Sequence, residues 1–250
     1  MPVFEARGLS VWLGERRLLC DVTLAVPRGG VTALMGPSGC GKTAFVRALN
    51  RMNECHDGAL TRGEVRFEGR DVYGPAVDVR ALRRRAGMVF RAPQMLPGTV
   101  HDNVSYGLRA GPPMSRDERD ARVERALARA GLWVELRDRL GEPAAGLSNG
   151  AQQRLCVARA LALDPAVLLL DEPAATLDPV ETATLEEALS TLRDELTVVI
   201  VTHAMEQAAR VSQTTAFFHR GSLVEVGDTR DVFTRPRREA TEDYLTGRFG

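Results

Sequence analysis

Gly36-Pro37-Ser38-Gly39-Cys40-Gly41-Lys42-Thr43 follows a short apolar run, Val31-Thr32-Ala33-Leu34-Met35, and precedes a segment with Phe45, Val46, Leu49 and Met52 on one helical face. Strand, glycine loop and helix make the setting in which G-x-x-x-x-G-K-[ST] holds phosphates. The glycines let backbone N–H groups close around an anion, and the start of the helix adds its positive end. Lys42 is expected to reach the β- and γ-phosphates, and the Thr43 hydroxyl to ligate Mg²⁺. A chance glycine-rich turn is the competing reading; the strand before and the amphipathic helix after weigh against it.

Outward from this loop, short apolar runs at 87–90, 167–170 and 198–201 read as further buried strands. Strands alternating with helices imply an α/β fold with a mostly parallel sheet. Residues 2–13, 23–26 and 64–67 read instead as an antiparallel edge sheet, and 215–219 with 222–225 as a hairpin turning at Gly221. From 91 to 164 the strand signals vanish. Ser115-Arg116-Asp117-Glu118 is a capping box that starts a helix, and Gly131 stops it. A helix beginning near Gly150 ends by Asp164-Pro165. Asp178-Pro179 starts another, with Leu185, Ala188, Leu189 and Leu192 on its apolar face. The chain therefore reads as one domain, 1–250, with an α/β core at 1–90 and 164–250 and a helical insertion at 91–163.

Lys plus Arg number 33 and Asp plus Glu 33 in 250 residues, a formal net charge of zero that gives no footprint for nucleic acid. The basic runs at 83–85 and 235–238 read as solvated faces. The longest apolar stretches, such as 166–170, fall far short of the roughly 20 residues that span a bilayer. The first residues lack the basic start and apolar core of a signal peptide, and Cys20, Cys40, Cys55 and Cys156 lie too far apart for a metal framework. Reduced thiols and a cytoplasmic protein are expected.

Three further elements carry chemistry. Asp171, at the end of the apolar run 167–170, is placed to hold Mg²⁺, and Glu172 to polarise an attacking water. An acidic pair after a strand is often only a turn or cap; the phosphate loop upstream tips the balance. Leu147-Ser148-Asn149-Gly150-Ala151 precedes a helix, with Ser148 as a cap on an N-terminus that is itself an anion site. His203 follows a strand at the edge where ligands bind in open α/β sheets, although a histidine there could simply cap a helix.

Together these residues resemble the ATP-binding-cassette (ABC) transporter ATPases. Walker A matches at 36–43, Walker B at 167–171, the catalytic glutamate at Glu172, the signature motif at 147–151, the D-loop at 175–178 and the switch histidine at His203. The resemblance implies a P-loop NTPase (RecA-like) core that binds ATP and Mg²⁺. Nucleotide contacts are implied for Gly36, Pro37, Ser38, Gly39, Cys40, Gly41, Lys42, Thr43, Ala44, Arg91, Ser148, Gly150 and Asp178, metal ligation for Thr43 and Asp171, and catalysis for Glu172, His203 and Lys42. It further implies a second ATPase subunit paired head to tail, as a homodimer, on two transmembrane permease subunits at the cytoplasmic face of the membrane. The insertion would carry the docking surface. Residues 49–54, 87–90, 132–133, 137–140, 152–156, 207–212 and 241–250 are similar to the phosphate-import members, which implies an extracytoplasmic phosphate-binding protein as a further partner.

The chain departs from the family text around the nucleotide. Arg91 stands where Gln is usual, and a guanidinium has donors but no acceptor; it could pair with γ-phosphate oxygens or swing into solvent. Asn149 and Ala151 replace Gly and Gln, Ala175 replaces Ser, and Ala44 stands where Thr is frequent. Leu13 occupies the position of the adenine-stacking aromatic, with Trp12 beside it on the opposite face of a strand. Two rival readings are a regulatory or pairing cassette that binds ATP but hydrolyses it weakly, and a cassette protein acting on ribosomes or DNA; zero net charge and a lone cassette oppose the second.

Overall fold

The computed structural model describes residues 1–248. Phe249 and Gly250, the end of the stretch compared with phosphate importers, lie outside the described residues. In chain order the elements are β1 (Phe4–Leu13), β2 (Arg16–Val26), β3 (Val31–Met35), α1 (Lys42–Leu49), β4 (Ala59–Phe67), β5 (Arg70–Asp71), α2 (Val79–Arg85) and β6 (Ala86–Val89). There follow α3 (Val100–Ser105), α4 (Arg116–Arg129), α5 (Trp133–Leu136), α6 (Asn149–Leu161), β7 (Val167–Asp171), α7 (Pro179–Leu192) and β8 (Thr197–Val201). The chain closes with α8 (Met205–Val211), β9 (Thr214–His219), β10 (Ser222–Asp228), α9 (Thr229–Thr234) and α10 (Glu239–Leu245). Two compact units result: Met1–Arg83 with Thr197–Gly250, and Arg84–Leu196.

In the first unit β1 pairs antiparallel with β2 and β4, and β4 with β5. β2 begins at Arg16 and β4 at Ala59, both earlier than the apolar runs suggested. β2 opens with exposed Arg16-Arg17, and β4 with Ala59-Leu60-Thr61-Arg62, none of them buried, because this part of the antiparallel sheet meets water. β3 is buried at every residue and runs parallel to both β8 and β9, while β10 returns antiparallel along β9. Continuous Val, Leu and Ile suit strands covered on both faces. α1 lays Phe45 against Phe218, with ring centroids 5.4 Å apart. It ends at Leu49. Arg51 then turns left-handed (φ 61), so Met52 opens a short 3₁₀ turn instead of extending the apolar face of α1.

In the second unit β6 runs parallel to β7, and α3 and α4 pack on α6. The capping box forms as expected: Glu118 N donates to Ser115 Oγ at 3.2 Å and Ser115 N to Glu118 Oε2 at 2.8 Å, and Gly131 (φ 68) follows the helix end. α6 stops at Leu161, just short of Asp164, whose own φ is 48. α7 is capped by Asp178 and buries Leu185, Ala188, Leu189 and Leu192. The outcome is the α/β fold with an antiparallel N-terminal sheet that the sequence implied.

Candidate functional site

The phosphate loop closes the C-terminal end of β3. Gly36 (φ 144) and Gly41 (φ 105) adopt backbone conformations that side chains disfavour. A Cβ on Gly36 would collide with the Phe218 carbonyl, and one on Gly41 would lie 2.6 Å from the Leu18 carbonyl oxygen. The loop therefore curls where only bare backbone fits.

Lys42 is 3% exposed, and its ammonium donates to Gly36 O at 2.7 Å and Pro37 O at 2.8 Å, with Cys40 Sγ at 3.7 Å. Burial pushes the Cys40 thiol above its usual range, and the charge of Lys42 beside it pulls the other way. Ser38 and Gly39 form the exposed tip, while Thr43 and Ala44 sit in the first turn of α1. Phe45 N donates to Gly41 O at 2.9 Å, which starts the helix ladder directly behind the loop.

In the same unit, His203 is exposed between β8 and α8. The helix cap there is Ala204, whose N–H donates to Thr202 Oγ1 at 3.0 Å, so His203 is not the cap. Leu13 is 41% exposed. Trp12 carries the Arg17 guanidinium over its ring at 5.0 Å and that of Arg62 at 5.5 Å.

In the second unit Asp171 ends β7 at 3% exposure. Glu172 follows with φ 50, a left-handed backbone that costs a side-chain-bearing residue about 1 kcal/mol or more. Its carbonyl accepts from Ala175 N at 3.1 Å. The Arg91 guanidinium lies beside its carboxylate, Nη1 to Oε2 at 3.4 Å.

The start of α6 is held from within this unit. Ser148 Oγ accepts from Ala151 N at 3.2 Å. Asn149 is the first helical residue and not left-handed; its amide donates to Thr176 O at 2.8 Å and Thr176 Oγ1 at 3.0 Å. Gly150 N donates to Glu181 Oε1 at 2.9 Å. Asp178 accepts from Glu181 N at 2.8 Å. The structure thus brings Arg91 to Glu172, and Ser148 to Gly150 beside 176–181.

A family model described as ABC transporter matches residues 19–175, a stretch that contains the phosphate loop, Arg91, the signature segment, Asp171 and Glu172. The chain belongs to the ABC transporter family. The similar solved structures include CbiO1 from Clostridium perfringens, part of the ABC transporter complex CbiONQ, at TM-score 0.81 and 26% identity over 94% of this chain and 91% of that one. A bacterial Atm1-family ABC exporter with ATP bound shares the fold at TM-score 0.79 and 23% identity, over 100% of this chain and 42% of that longer one. As an ABC transporter ATPase the chain carries its own engine but no described helix long and apolar enough to cross a membrane.

Sequence reading missed the partners of the ABC signature segment, Thr176 and Glu181. Asp178-x-x-Glu181 has the form of a capping box, which points the glutamate back at residue 178. Its carboxylate reaches Gly150 of α6 instead, a contact between elements that local pattern does not encode.

Proposed function

We propose that this ABC ATPase binds ATP with Mg²⁺ on the phosphate loop, hydrolyses it in a dimer of two copies, and so drives a phosphate-importing permease at the cytoplasmic face of the membrane. The observation that carries the reading is the Lys42 ammonium, buried and resting on carbonyls of a loop with no room for a side chain at Gly36 or Gly41. A buried cation held by neutral carbonyls is poised to exchange them for anionic phosphate oxygens, which bind it more strongly.

The loop amides of 36–44 would cradle the phosphates, with Thr43 and Asp171 as the Mg²⁺ ligands. The metal, when bound, neutralises charge on the β- and γ-phosphate oxygens. Glu172 accepts a proton from water, whose oxygen bonds to the γ-phosphorus as that atom's bond to the β–γ bridging oxygen breaks and ADP leaves with the electron pair. His203 would orient the γ-phosphate, and the second copy would contribute Ser148, Gly150 and Asp178. The helical stretch 91–163 would seat the permease. Phosphate as cargo is supported by the likeness of 49–54, 137–140 and 207–212 to phosphate-import members, and a phosphate-binding protein would deliver it.

The test is reconstitution with the permease in proteoliposomes. ATP-driven uptake of labelled phosphate is expected; uptake of another solute in its place would refute the cargo, and ATP-independent behaviour the whole reading. The Arg91–Glu172 pair favours a second reading, a cassette that binds ATP and turns it over slowly.

A further inference from the structure

Arg91 lies close to the one carboxylate assigned to activate water. Its side chain is 63% exposed, whereas that of Glu172 is 13% exposed, so the arginine reaches in from the surface to a nearly buried acceptor. The peptide just before it is anchored. Gln153, fully buried on α6, donates its amide to Phe90 O at 2.8 Å, and its own carbonyl oxygen Oε1 has no hydrogen-bond partner among the described residues. The buried amide fixes where the Arg91 backbone emerges, next to the turn that presents Glu172 in its left-handed conformation. Gln at position 91 could accept a hydrogen bond; Arg offers donors only.

We infer that Arg91 is a positioning residue that holds the Glu172 carboxylate away from water, so that it sets turnover and not ATP affinity. This rests on the hydrolytic reading above. A guanidinium paired with the carboxylate at 3.4 Å favours the orientation that faces Arg91 over one that turns to an attacking water. Turnover then requires the pair to open. Gln153 is the link through which a shift of α6, the helix that begins with the signature segment, moves Arg91 relative to Glu172.

Five proteins test this: the parent, Arg91→Gln, Arg91→Lys, Glu172→Gln and Arg91→Gln with Glu172→Gln. Each is measured for affinity to a fluorescent ATP analogue by titration, and for kcat and KM at saturating Mg²⁺. Arg91→Gln is expected to raise kcat about two- to fivefold, the factor an exposed ion pair is worth, with nucleotide affinity unchanged. Arg91→Lys, which keeps the cation, gains less. Adding Arg91→Gln to Glu172→Gln changes nothing, because the carboxylate it acts through is gone. Weaker nucleotide binding in Arg91→Gln with no rise in kcat overturns the inference and assigns Arg91 to the phosphates. Equal constants in parent and Arg91→Gln overturn it too, leaving a surface arginine. Failure of the hydrolytic reading is distinguishable: then Glu172→Gln alone leaves turnover at the parent level.

Discussion

The backbone N–H of Gly150 donates to Oε1 of Glu181 at 2.9 Å, so a carboxylate from α7 already sits on the positive end of α6. Helix N-termini stabilise anions through such amides. In the proposed dimer the γ-phosphate held by the other copy needs the same end of α6, and Glu181 has to yield it.

Glu181→Gln keeps an acceptor oxygen but removes the competing charge. Removing it should tighten the ATP-bound dimer roughly fivefold, about 1 kcal/mol for a charge at a helix start. Sedimentation velocity with ATP in the Glu172→Gln background reads this directly. An equal or weaker dimer would show that Glu181 supports the signature segment and does not guard it.

Gly36→Ala should abolish nucleotide binding and lower Tm, because its Cβ meets the Phe218 carbonyl, a backbone atom that cannot move aside cheaply. Gly39 is the control at the same loop. It has φ 75 but nothing within 4 Å of a Cβ, so Gly39→Ala should cost only about 1–2 kcal/mol of backbone strain. Thermal melts of the two variants that coincide would contradict this account of the loop.

Cys40 gives a pH prediction. Burial raises its pKa, which leaves less thiolate at any pH below that value than an ordinary cysteine has. Alkylation at pH 8 should therefore mark exposed Cys55 first, with Cys40 reacting appreciably only as pH rises beyond 9.0, the ordinary value. Bound ATP should slow Cys40 further. Peptide mapping after timed iodoacetamide treatment checks the order, and Cys40 reacting ahead of Cys55 would contradict it.

The strands of the first unit that flank the loop were legible because short apolar runs bounded by glycine or polar residues suit buried strands. β3 matched its apolar run residue for residue. The starts of β2 and β4 were not, since Arg16-Arg17 carry no apolar signal and Ala59-Leu60 are followed by Thr61-Arg62-Gly63, which breaks any apolar run before Val65. Met52 has the spacing of a fourth face residue on α1, yet the left-handed Arg51 ends that helix, and an arginine gives no advance sign of such a turn. Among site residues, the loop, Asp171 and Glu172 were marked by local context. Arg91 stood out as a departure, but its partner did not, because a contact between residues 91 and 172 is set by how β6 lies along β7 and not by any local pattern.

The proposed function requires that this chain hydrolyses ATP with Glu172 as the base. The most direct measurement is steady-state release of phosphate from ATP and Mg²⁺ by the purified chain and by Glu172→Gln, alongside ATP binding to both. Undiminished binding and a turnover lowered by roughly 10²-fold or more are expected in the variant. Equal turnover in the two proteins would contradict this role of Glu172.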